Sequence, residues 1–399
     1  MYRNIYYDSR EQLMKLFTWD EEGKRIVADC SYSPYLYLET KQETNFKSIF
    51  KTNLKKRTFK TAKDRAIFSK SCGIERLFEN IAPAQQFLID TFHTKNEEMT
   101  FAENPLKIFF IDIETYSPGN FPTPDEAPDP INVITIYDSL RNHFISWGTK
   151  KLDKSIKNCT YAHCTSETQM LDCFLNYIEL DHPDILTGWN SEFFDVPYII
   201  NRIAKILGDD DTKRLSPVGE VYSVTRPGNF GKDQTRWFIN GVSSIDYLDI
   251  YKKFSMGLRE SYKLDSIAEL ELGEKKVDYG NTNLSGLADE DWQTFVEYNI
   301  QDVNLLVKME DKLRYLELLR MLAYTGLTTF ENAMGTLGVV TGSCVIKARQ
   351  TNSIIPTFVR DGRGGKYEGA YVGEPQRGFQ ENIVSFDANS LYPNTVISL

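Results

Sequence analysis

The chain has 399 residues, of which 46 are Lys or Arg and 56 are Asp or Glu, so its formal net charge is −10. Hydrophobic residues make up 41% and charged residues 26%, which is typical of a globular protein with about two to four domains and excludes a disordered or collagen-like chain. No apolar run approaches the ~18 residues of a spanning helix, and the N-terminus is polar, so we expect a cytoplasmic protein with no membrane partner. The acidic balance argues only weakly against nucleic acid, which is bound by local patches.

The first hundred residues mix strand and helix patterns. Ser33–Glu39 is rich in Tyr and Leu and predicts a strand, whereas Ile81–Phe92 has the apolar spacing of a helix. Between them, residues 51–70 carry eight basic side chains against a single acid, Asp64. Two interpretations stay open: a solvated basic face, which most charge runs are, or a face that binds nucleic acid.

A stronger pattern begins at Ile108–Ile113, a nearly continuous apolar run that predicts a strand buried on both faces. We predict further strands at Asn132–Tyr137, Phe144–Trp147, Cys159–Cys164 and Asp184–Trp189, and a hairpin across Val221–Ile239. Helical periodicity marks Glu167–Leu180, Val196–Leu207, Tyr262–Leu270 and Glu290–Leu313. Strands interleaved with helices predict an α/β (α+β) fold, with a mixed sheet flanked by helices.

The first of these strands ends in two carboxylates, Asp112 and Glu114. Residues i and i+2 of a strand point to the same face, so the two acids meet where burial makes unpaired charge costly. A divalent cation removes that cost, and oxygen ligands favour Mg²⁺ or Mn²⁺ over zinc. The alternative is a surface strand end with two solvated acids.

Two other segments carry acids that could join this pair. Tyr298 and Asp302 are four residues apart on a predicted helix, either as an ordinary surface pair or as a hydroxyl and a carboxylate that orient a water. Asn190 and Asp195 come just before a predicted helix, and on its own Asp195 is best interpreted as its N-cap. Together the four carboxylates predict a two-metal site for phosphoryl displacement, which needs no His base.

The cysteines offer a weaker alternative. Cys159, His163, Cys164 and Cys173 lie close together in the sequence and a zinc site is conceivable. Their spacing matches no zinc template, so small buried thiols are the favoured interpretation.

Three exonuclease motifs of family B DNA polymerases resemble segments of this chain, namely FFIDIETYSPGNFP, LTGWNSEFFDVPYIINRI and YNIQDVNLL. The similarity is strongest to the replicative polymerases of T-even-type bacteriophages and extends to Ser244–Phe254 and Ser261–Ile267. The resemblance implies a DEDD-type 3′→5′ proofreading exonuclease on an RNase H-like fold.

The resemblance also implies roles for single residues. Four carboxylates would bind two Mg²⁺ (or Mn²⁺) ions: Asp112, Glu114, Asp195 and Asp302. Tyr298 would orient the attacking water. Asn190 and Phe194 would shape the DNA pocket, and Phe121 would stack on a frayed primer end.

Two later segments resemble parts of a polymerase module. Residues 367–370 (YEGA) are similar to the linker motif of the family, and SFDANSLYPNT is similar to polymerase motif A. In that motif Asp387 would bind the polymerase metals, and Leu391 and Tyr392 would lie under the incoming nucleotide. Because the sequence stops at Leu399, we expect a truncated palm and no nucleotide addition by this chain alone.

The implied domains are a discontinuous N-terminal α+β domain at 1–104, completed by about 315–380, an exonuclease domain at 105–314 and the start of the palm at 381–399. The implied function is hydrolysis of single-stranded or frayed DNA from its 3′ end, with release of nucleoside monophosphates, in the host-cell cytoplasm if the source is viral. One alternative is the proofreading subunit of a split polymerase, with a second chain as partner. Another is an RNA-binding module in the N-terminal domain.

Overall fold

The computed structural model of the chain describes residues 1–73, 76–93, 104–116, 122–227, 233–274, 284–357, 371 and 373–398. The chain divides into two compact units, Met1–Thr357 and Phe358–Leu399. The first unit contains the sheets and the candidate site. In the second unit, the described residues include one helix near the C-terminus.

The strands, in chain order, are β1 (Tyr2–Asp8), β2 (Leu13–Trp19), β3 (Arg25–Ser31), β4 (Tyr35–Glu39), β5 (Phe46–Ser48), β6 (Asn53–Thr58), β7 (Leu77–Phe78), β8 (Ile108–Thr115), β9 (Ile131–Asp138), β10 (His143–Gly148), β11 (Cys159–His163), β12 (Ile185–Thr187), β13 (Val221–Pro227), β14 (Asp233–Ile239), β15 (Ser243–Ser244) and β16 (Ser353–Ile354). The helices are α1 (Ala62–Cys72), α2 (Pro83–Phe92), α3 (Glu167–Leu180), α4 (Asp195–Ile206), α5 (Asp209–Thr212), α6 (Tyr247–Phe254), α7 (Leu264–Leu272), α8 (Leu284–Glu290), α9 (Trp292–Leu313), α10 (Tyr315–Thr325), α11 (Phe330–Ala333), α12 (Thr336–Gln350) and α13 (Leu391–Ser398).

The largest sheet has six strands in the order β11-β10-β9-β8-β12-β15. Strands β8, β9 and β10 pair antiparallel, whereas β11, β12 and β15 join in parallel, so the sheet is mixed. Side chains of β8 alternate between two cores. Ile111 and Ile113 pack with residues of α3 and α4, while Phe110 packs with residues of α9. Burial on both faces explains the unbroken apolar run in this strand.

Two of the helices around this sheet, α3 and α9, begin at side-chain caps. The Ser166 hydroxyl accepts from the Gln169 N–H at 3.2 Å and starts α3. The Asp291 carboxylate accepts from the Thr294 N–H at 3.0 Å and starts α9, which ends at Arg314 in the left-handed region (φ 54°). Caps of this kind are worth about 1 kcal/mol each and fix where a helix begins.

Two further sheets form from the first part of the chain. One has the order β1-β2-β3, and the other has the order β16-β5-β6-β4-β7. In the second sheet, β16 from the far end of the first unit pairs in parallel with β5, with Ser353 opposite Lys47. The two ends of this unit therefore share a sheet. The limits of the three predicted domains stay a prediction.

The predicted mixed sheet flanked by helices is confirmed. Between Ile108 and Leu313 every predicted strand and helix is present, with ends within about the two residues by which element boundaries ordinarily vary. Hydrophobic periodicity predicted these strands and helices correctly because both faces of β8 and one face of each helix are buried. Among the described residues, no helix has the length and apolarity to span a bilayer.

Candidate active site

The candidate site lies at the end of β8, on the face that turns toward α9. Because side chains alternate along a strand, Asp112 and Glu114 point to the same side as Phe110, which packs with residues of α9. The ladder with β9 places Asp112 opposite Thr135 and Glu114 opposite Val133. A buried, doubly paired strand thus delivers both carboxylates at its end, as the sequence predicted.

Helix α9 supplies a third carboxylate, Asp302, whose side chain is 4% exposed. One carboxylate oxygen each of Asp112, Glu114 and Asp302 lies within 4.8 Å of the other two. Like charges at such distances repel, so a cation between them is favoured. The donors are all carboxylate oxygens, the ligand type that hard divalent cations prefer.

A neutral amide contacts the same cluster. The Asn299 side chain, which is fully buried, donates from Nδ2 to Asp112 Oδ2 at 2.6 Å. The sequence motifs do not single out this residue. In the sequence, the only sign of this residue is an amide immediately after Tyr298. It stands in a helical segment whose other residues divide into an apolar face and a polar face.

The N-cap interpretation of Asp195 is wrong. Helix α4 begins at Asp195 itself, Phe194 occupies the N-cap position, and no side chain caps the helix. The Asp195 carboxylate instead accepts a hydrogen bond at 3.1 Å from the backbone N–H of Ile113, the residue between Asp112 and Glu114. Asp195 is therefore buried against the strand end that carries the cluster, although it is not one of the three residues that converge.

Burial raises the pKa of Asp195 to about 7, because the charged carboxylate loses its hydration. The hydrogen bond from Ile113 opposes this change, while the negative charges of Asp246 and Asp302 add to it. Proximity to a bound cation would act in the opposite direction and favour the charged form.

The loop between β12 and α4 is held by Asp246, a carboxylate of the segment Ser244–Phe254 for which the sequence predicted no role. Its Oδ1 accepts from the N–H groups of Asn190 at 3.0 Å and Leu248 at 2.9 Å, and its Oδ2 accepts from the Glu192 N–H at 3.1 Å. Burial raises the pKa of Asp246 to about 6. Asp246 thus caps helix α6 and also fixes the backbone of the loop that carries Asn190. From the sequence, an Asp before a helical pattern predicts the cap but not the contact with the loop.

The same loop needs two special backbone positions. Asn190 has a φ of 63°, in the left-handed region that Asn tolerates better than most residues. At Gly188, an added Cβ would lie 2.6 Å from the carbonyl oxygen of Ile111 in β8. Glycine therefore lets the loop approach the central strand, and Asn190 turns it toward α4.

The remaining predicted residues of the exonuclease motifs have mixed outcomes. Tyr298 lies one helical turn before Asp302 and is 6% exposed, so the interpretation of the two as a surface pair is wrong. Phe194 is half-buried and its ring packs on that of Tyr198, with centroids 5.4 Å apart. Phe121 lies outside the described residues.

The residues of the polymerase-like motif belong to the second unit. Asp387 precedes α13, and Leu391 and Tyr392 form the start of that helix. Residues 367–370 lie outside the part of the chain that the structure describes. The roles implied for all of these residues stay predictions.

Strand β6 and helix α1 carry the basic segment 51–70. Seven of its basic side chains are exposed: Lys51, Lys55, Lys56, Arg57, Lys60, Lys63 and Lys70. Arg65 is instead buried and donates to the carbonyl oxygens of Tyr35 at 3.3 Å and Ile81 at 2.7 Å, so it links α1 to β4 and to the segment before α2. Both interpretations of the segment stay open, with seven of its eight cationic side chains available to a partner.

The zinc alternative is wrong for the residues that the structure describes, where Cys159, His163, Cys164 and Cys173 form no cluster of metal-binding atoms. Burial raises the pKa of the Cys159 thiol to about 12 and that of Cys164 to about 11. Cys164 is buried and Cys159 and Cys173 are half-buried, which favours the interpretation as packed thiols.

Two family models match the chain. The model for DNA polymerase family B, exonuclease domain, matches residues 63–267, and a second model for DNA polymerase family B matches residues 336–399. The DNA-directed DNA polymerase of Enterobacteria phage T4 is 30% identical over 408 aligned residues, and that of Escherichia phage RB69 is 28% identical; each alignment covers 94% of this chain and 44% of the relative. The DNA polymerase delta catalytic subunit of Caenorhabditis elegans is 29% identical over 317 residues, covering 74% of this chain and 28% of that protein.

Carboxylates that converge at the end of a central strand of a mixed sheet can hold divalent cations of the kind that phosphodiester chemistry uses. The chain belongs to DNA polymerase family B and carries the exonuclease domain of that family. The family predicted from the sequence motifs is thereby confirmed. The chain spans less than half the length of the curated relatives it matches.

Proposed function

We propose that this chain hydrolyses the 3′-terminal phosphodiester of single-stranded or frayed DNA and releases nucleoside monophosphates, as the proofreading part of a phage-type replicative polymerase. The observation that carries the proposal is the convergence of Asp112, Glu114 and Asp302 within 4.8 Å. Its support from the family is the match of residues 63–267 to the exonuclease domain.

The chain would hold two divalent ions, Mg²⁺ or Mn²⁺, through Asp112, Glu114, Asp195 and Asp302. When bound, such ions polarise the scissile phosphate and lower the pKa of water, which removes the need for a histidine base. Asp112 and Glu114 extend from a rigid central strand and Asp302 from a packed helix. Because these elements are fixed, little reorganisation is needed when the substrate arrives.

Other side chains would bind and orient the reactants. Tyr298, one turn from Asp302, would position the attacking water through its hydroxyl. Asn190 and Phe194 would line the pocket for the terminal nucleotide, and Phe121 would stack on an unpaired base. Stacking on an aromatic ring suits an exonuclease that acts on any sequence, because every base presents a π-face.

The match of residues 336–399 to the polymerase family model supports a separate proposal for the second unit. Asp387 would bind the metals of a polymerase site, and Leu391 and Tyr392 would lie under the incoming nucleotide. Such a site needs carboxylates from more than one segment, and the further segment would belong to the same polymerase module or to a second chain.

The direct test is a nuclease assay with a 5′-labelled single-stranded oligonucleotide. With Mg²⁺, the wild-type protein should shorten it from the 3′ end, and EDTA or Asp112→Ala should stop this. Asp172→Ala is the matched control, because Asp172 is a surface carboxylate on α3 that binds Arg214 at 2.9 Å. A correctly folded wild-type protein that leaves the oligonucleotide intact with both Mg²⁺ and Mn²⁺ would contradict the proposal.

A second candidate function, RNA binding, is favoured by the seven exposed basic side chains of segment 51–70. The triple variant Lys55→Gln, Lys60→Gln and Lys63→Gln should weaken RNA binding and reduce the slope of log K against log salt by about 0.7 for each phosphate that is no longer neutralised. The control changes three exposed lysines elsewhere, Lys150, Lys213 and Lys312, to Gln. If the slope of log K against log salt were equal for the two variants, segment 51–70 would be a solvated face that does not bind RNA.

A further inference from the structure

The contact between Asn299 and Asp112 is unusual for the position that Asn299 occupies on helix α9. Asn299 is fully buried, and its amide reaches Asp112 Oδ2 at 2.6 Å. It lies directly after Tyr298 and three residues before Asp302, so the helix that carries the third carboxylate also carries this donor. Hydrogen bonds to an ionised acceptor are shorter and stronger than those between neutral groups.

The orientation of this amide follows from its partner. An ionised carboxylate only accepts hydrogen bonds, so the Asn299 nitrogen must face Asp112 and the oxygen must face away. That oxygen, Asn299 Oδ1, is buried and has no hydrogen-bond partner among the described residues. A buried polar atom without a partner is destabilising, and a leucine of similar size would avoid that cost.

Packing alone does not account for an amide at this position. The neighbours of Asn299 three and four residues away on α9 are Phe295, Val296 and Val303, which are buried in the core that α9 shares with the sheet, and Asp302 of the cluster. An apolar side chain would suit that core better. The amide is therefore explained by the group to which it donates, which is the carboxylate of Asp112.

We propose that Asn299 is a positioning residue that fixes the Asp112 carboxylate for binding a divalent cation. This inference rests on the proposed function, because it requires a cation at the cluster of Asp112, Glu114 and Asp302. A neutral donor holds one oxygen of Asp112 in place without adding a positive charge that would compete with the cation. Donors behind a metal ligand act in this way, by orienting the ligand.

The test is the affinity of the folded protein for Mn²⁺, measured by isothermal titration calorimetry without DNA. Asn299→Leu should bind Mn²⁺ about 10–100-fold more weakly than the wild type, the range typical of removing a donor behind a metal ligand. The matched control is Asn304→Leu on the same helix, whose amide donates to Gln301 Oε1 at 3.0 Å and not to the cluster. This control should retain the wild-type affinity.

A second variant, Asn299→Ala, provides the same test if Asn299→Leu does not fold. Circular dichroism shows which variants are folded. Wild-type Mn²⁺ affinity in a folded Asn299 variant overturns the positioning role and leaves the proposed exonuclease intact. An equal loss in Asn304→Leu also overturns it, because the change would then follow from the helix. A wild-type protein that binds no Mn²⁺ overturns this inference and the proposed function together.

Discussion

Acidic side chains gather at both ends of strand β8, but their charges are balanced in opposite ways. Just before the strand, the buried Lys107 ammonium lies 2.8 Å from Asp181 and 3.4 Å from Asp138. Beside it, Arg3 from the first strand of the chain binds Asp184 at 2.5 Å, with both side chains buried. Here the protein supplies the compensating cations itself, and the ion pairs join β1 to the six-stranded sheet.

At the other end, Asp112, Glu114 and Asp302 converge, and a donor to Asp112 is the neutral amide of Asn299. We propose that a bound divalent cation completes the charge balance there. The comparison teaches that acidic residues near one strand can have two roles. Where side chains of the protein neutralise them, they stabilise the fold, and where a cation from solution must neutralise them, they are available for catalysis.

The pKa values of other carboxylates show the same dependence on the partner. Burial acts to raise the pKa of Asp181, but the hydrogen bonds and charges of Lys107 and Arg25 outweigh it, so the pKa is lowered. Burial raises the pKa of Glu310 to about 7, since its donors, the Tyr247 hydroxyl and the Leu316 N–H, are neutral. A cationic partner opposes burial but does not always outweigh it, because burial still raises the pKa of Glu79 and Glu192, which pair with Arg349 and Arg236.

The largest expected effect comes from breaking the carboxylate cluster. Asp302→Asn keeps the shape of the side chain and removes its charge, and we expect it to lower the rate of 3′ hydrolysis by more than about 10³-fold, the scale of losing a catalytic group. Asp181→Asn, at the opposite end of β8, should leave the rate unchanged. Equal losses in the two variants, measured in the same nuclease assay, would show that the two ends do not differ in function.

Breaking the other end should cost stability instead. Lys107→Met removes the buried cation of Asp138 and leaves that buried carboxylate with the half-exposed Arg141, 3.7 Å away. We therefore expect the free energy of unfolding to fall by about 3 kcal/mol, the lower end of the cost of removing one partner of a buried pair. Urea unfolding followed by circular dichroism measures this, with Lys150→Met at an exposed lysine as the control. A loss below about 1 kcal/mol would contradict the structural role that we assign to this end.

The pH dependence of stability tests the effect of the neutral partners of Glu310 on its pKa. The folded-state pKa of Glu310 is raised from an ordinary 4.5 to about 7, so its contribution to stability is full below pH 4.5 and is lost as the pH rises through 7. Between pH 5 and pH 8 the wild type should lose about 1–3 kcal/mol more than Glu310→Gln. Urea unfolding at several pH values compares the two proteins. Parallel pH profiles would show that the Glu310 carboxyl has the same pKa in the folded and the unfolded protein.

The smallest effect is expected where a cation pairs with an acid in water. Lys213 and Asp210 are 2.6 Å apart, but their side chains are 56% and 92% exposed. Lys213→Ala should change the free energy of unfolding by no more than about 0.5 kcal/mol, because hydration and side-chain entropy offset the pair. A loss comparable to that of Lys107→Met would show that burial is not what separates strong from weak ion pairs in this protein.

Much of the exonuclease region could be predicted from the sequence because its signals are local. The apolar run of Ile108–Ile113 and the periodicity of Glu167–Leu180 report burial directly, and both elements are present. The ion pairs of Lys107 and Arg3 could not be predicted, since their acidic partners lie in other segments of the chain. A local pattern carries no information about such pairing.

The sequence by itself determined the family, through three ordered motifs, and the identity of the acids that the family would use. Only the tertiary structure decided which of them meet. It brings Asp112, Glu114 and Asp302 together, places Asp195 against the backbone of Ile113, and reveals Asn299 and Asp246. The physical reason is that convergence depends on how α9, α4 and the β12–α4 loop pack on β8, and that packing is set by contacts between residues far apart in the chain.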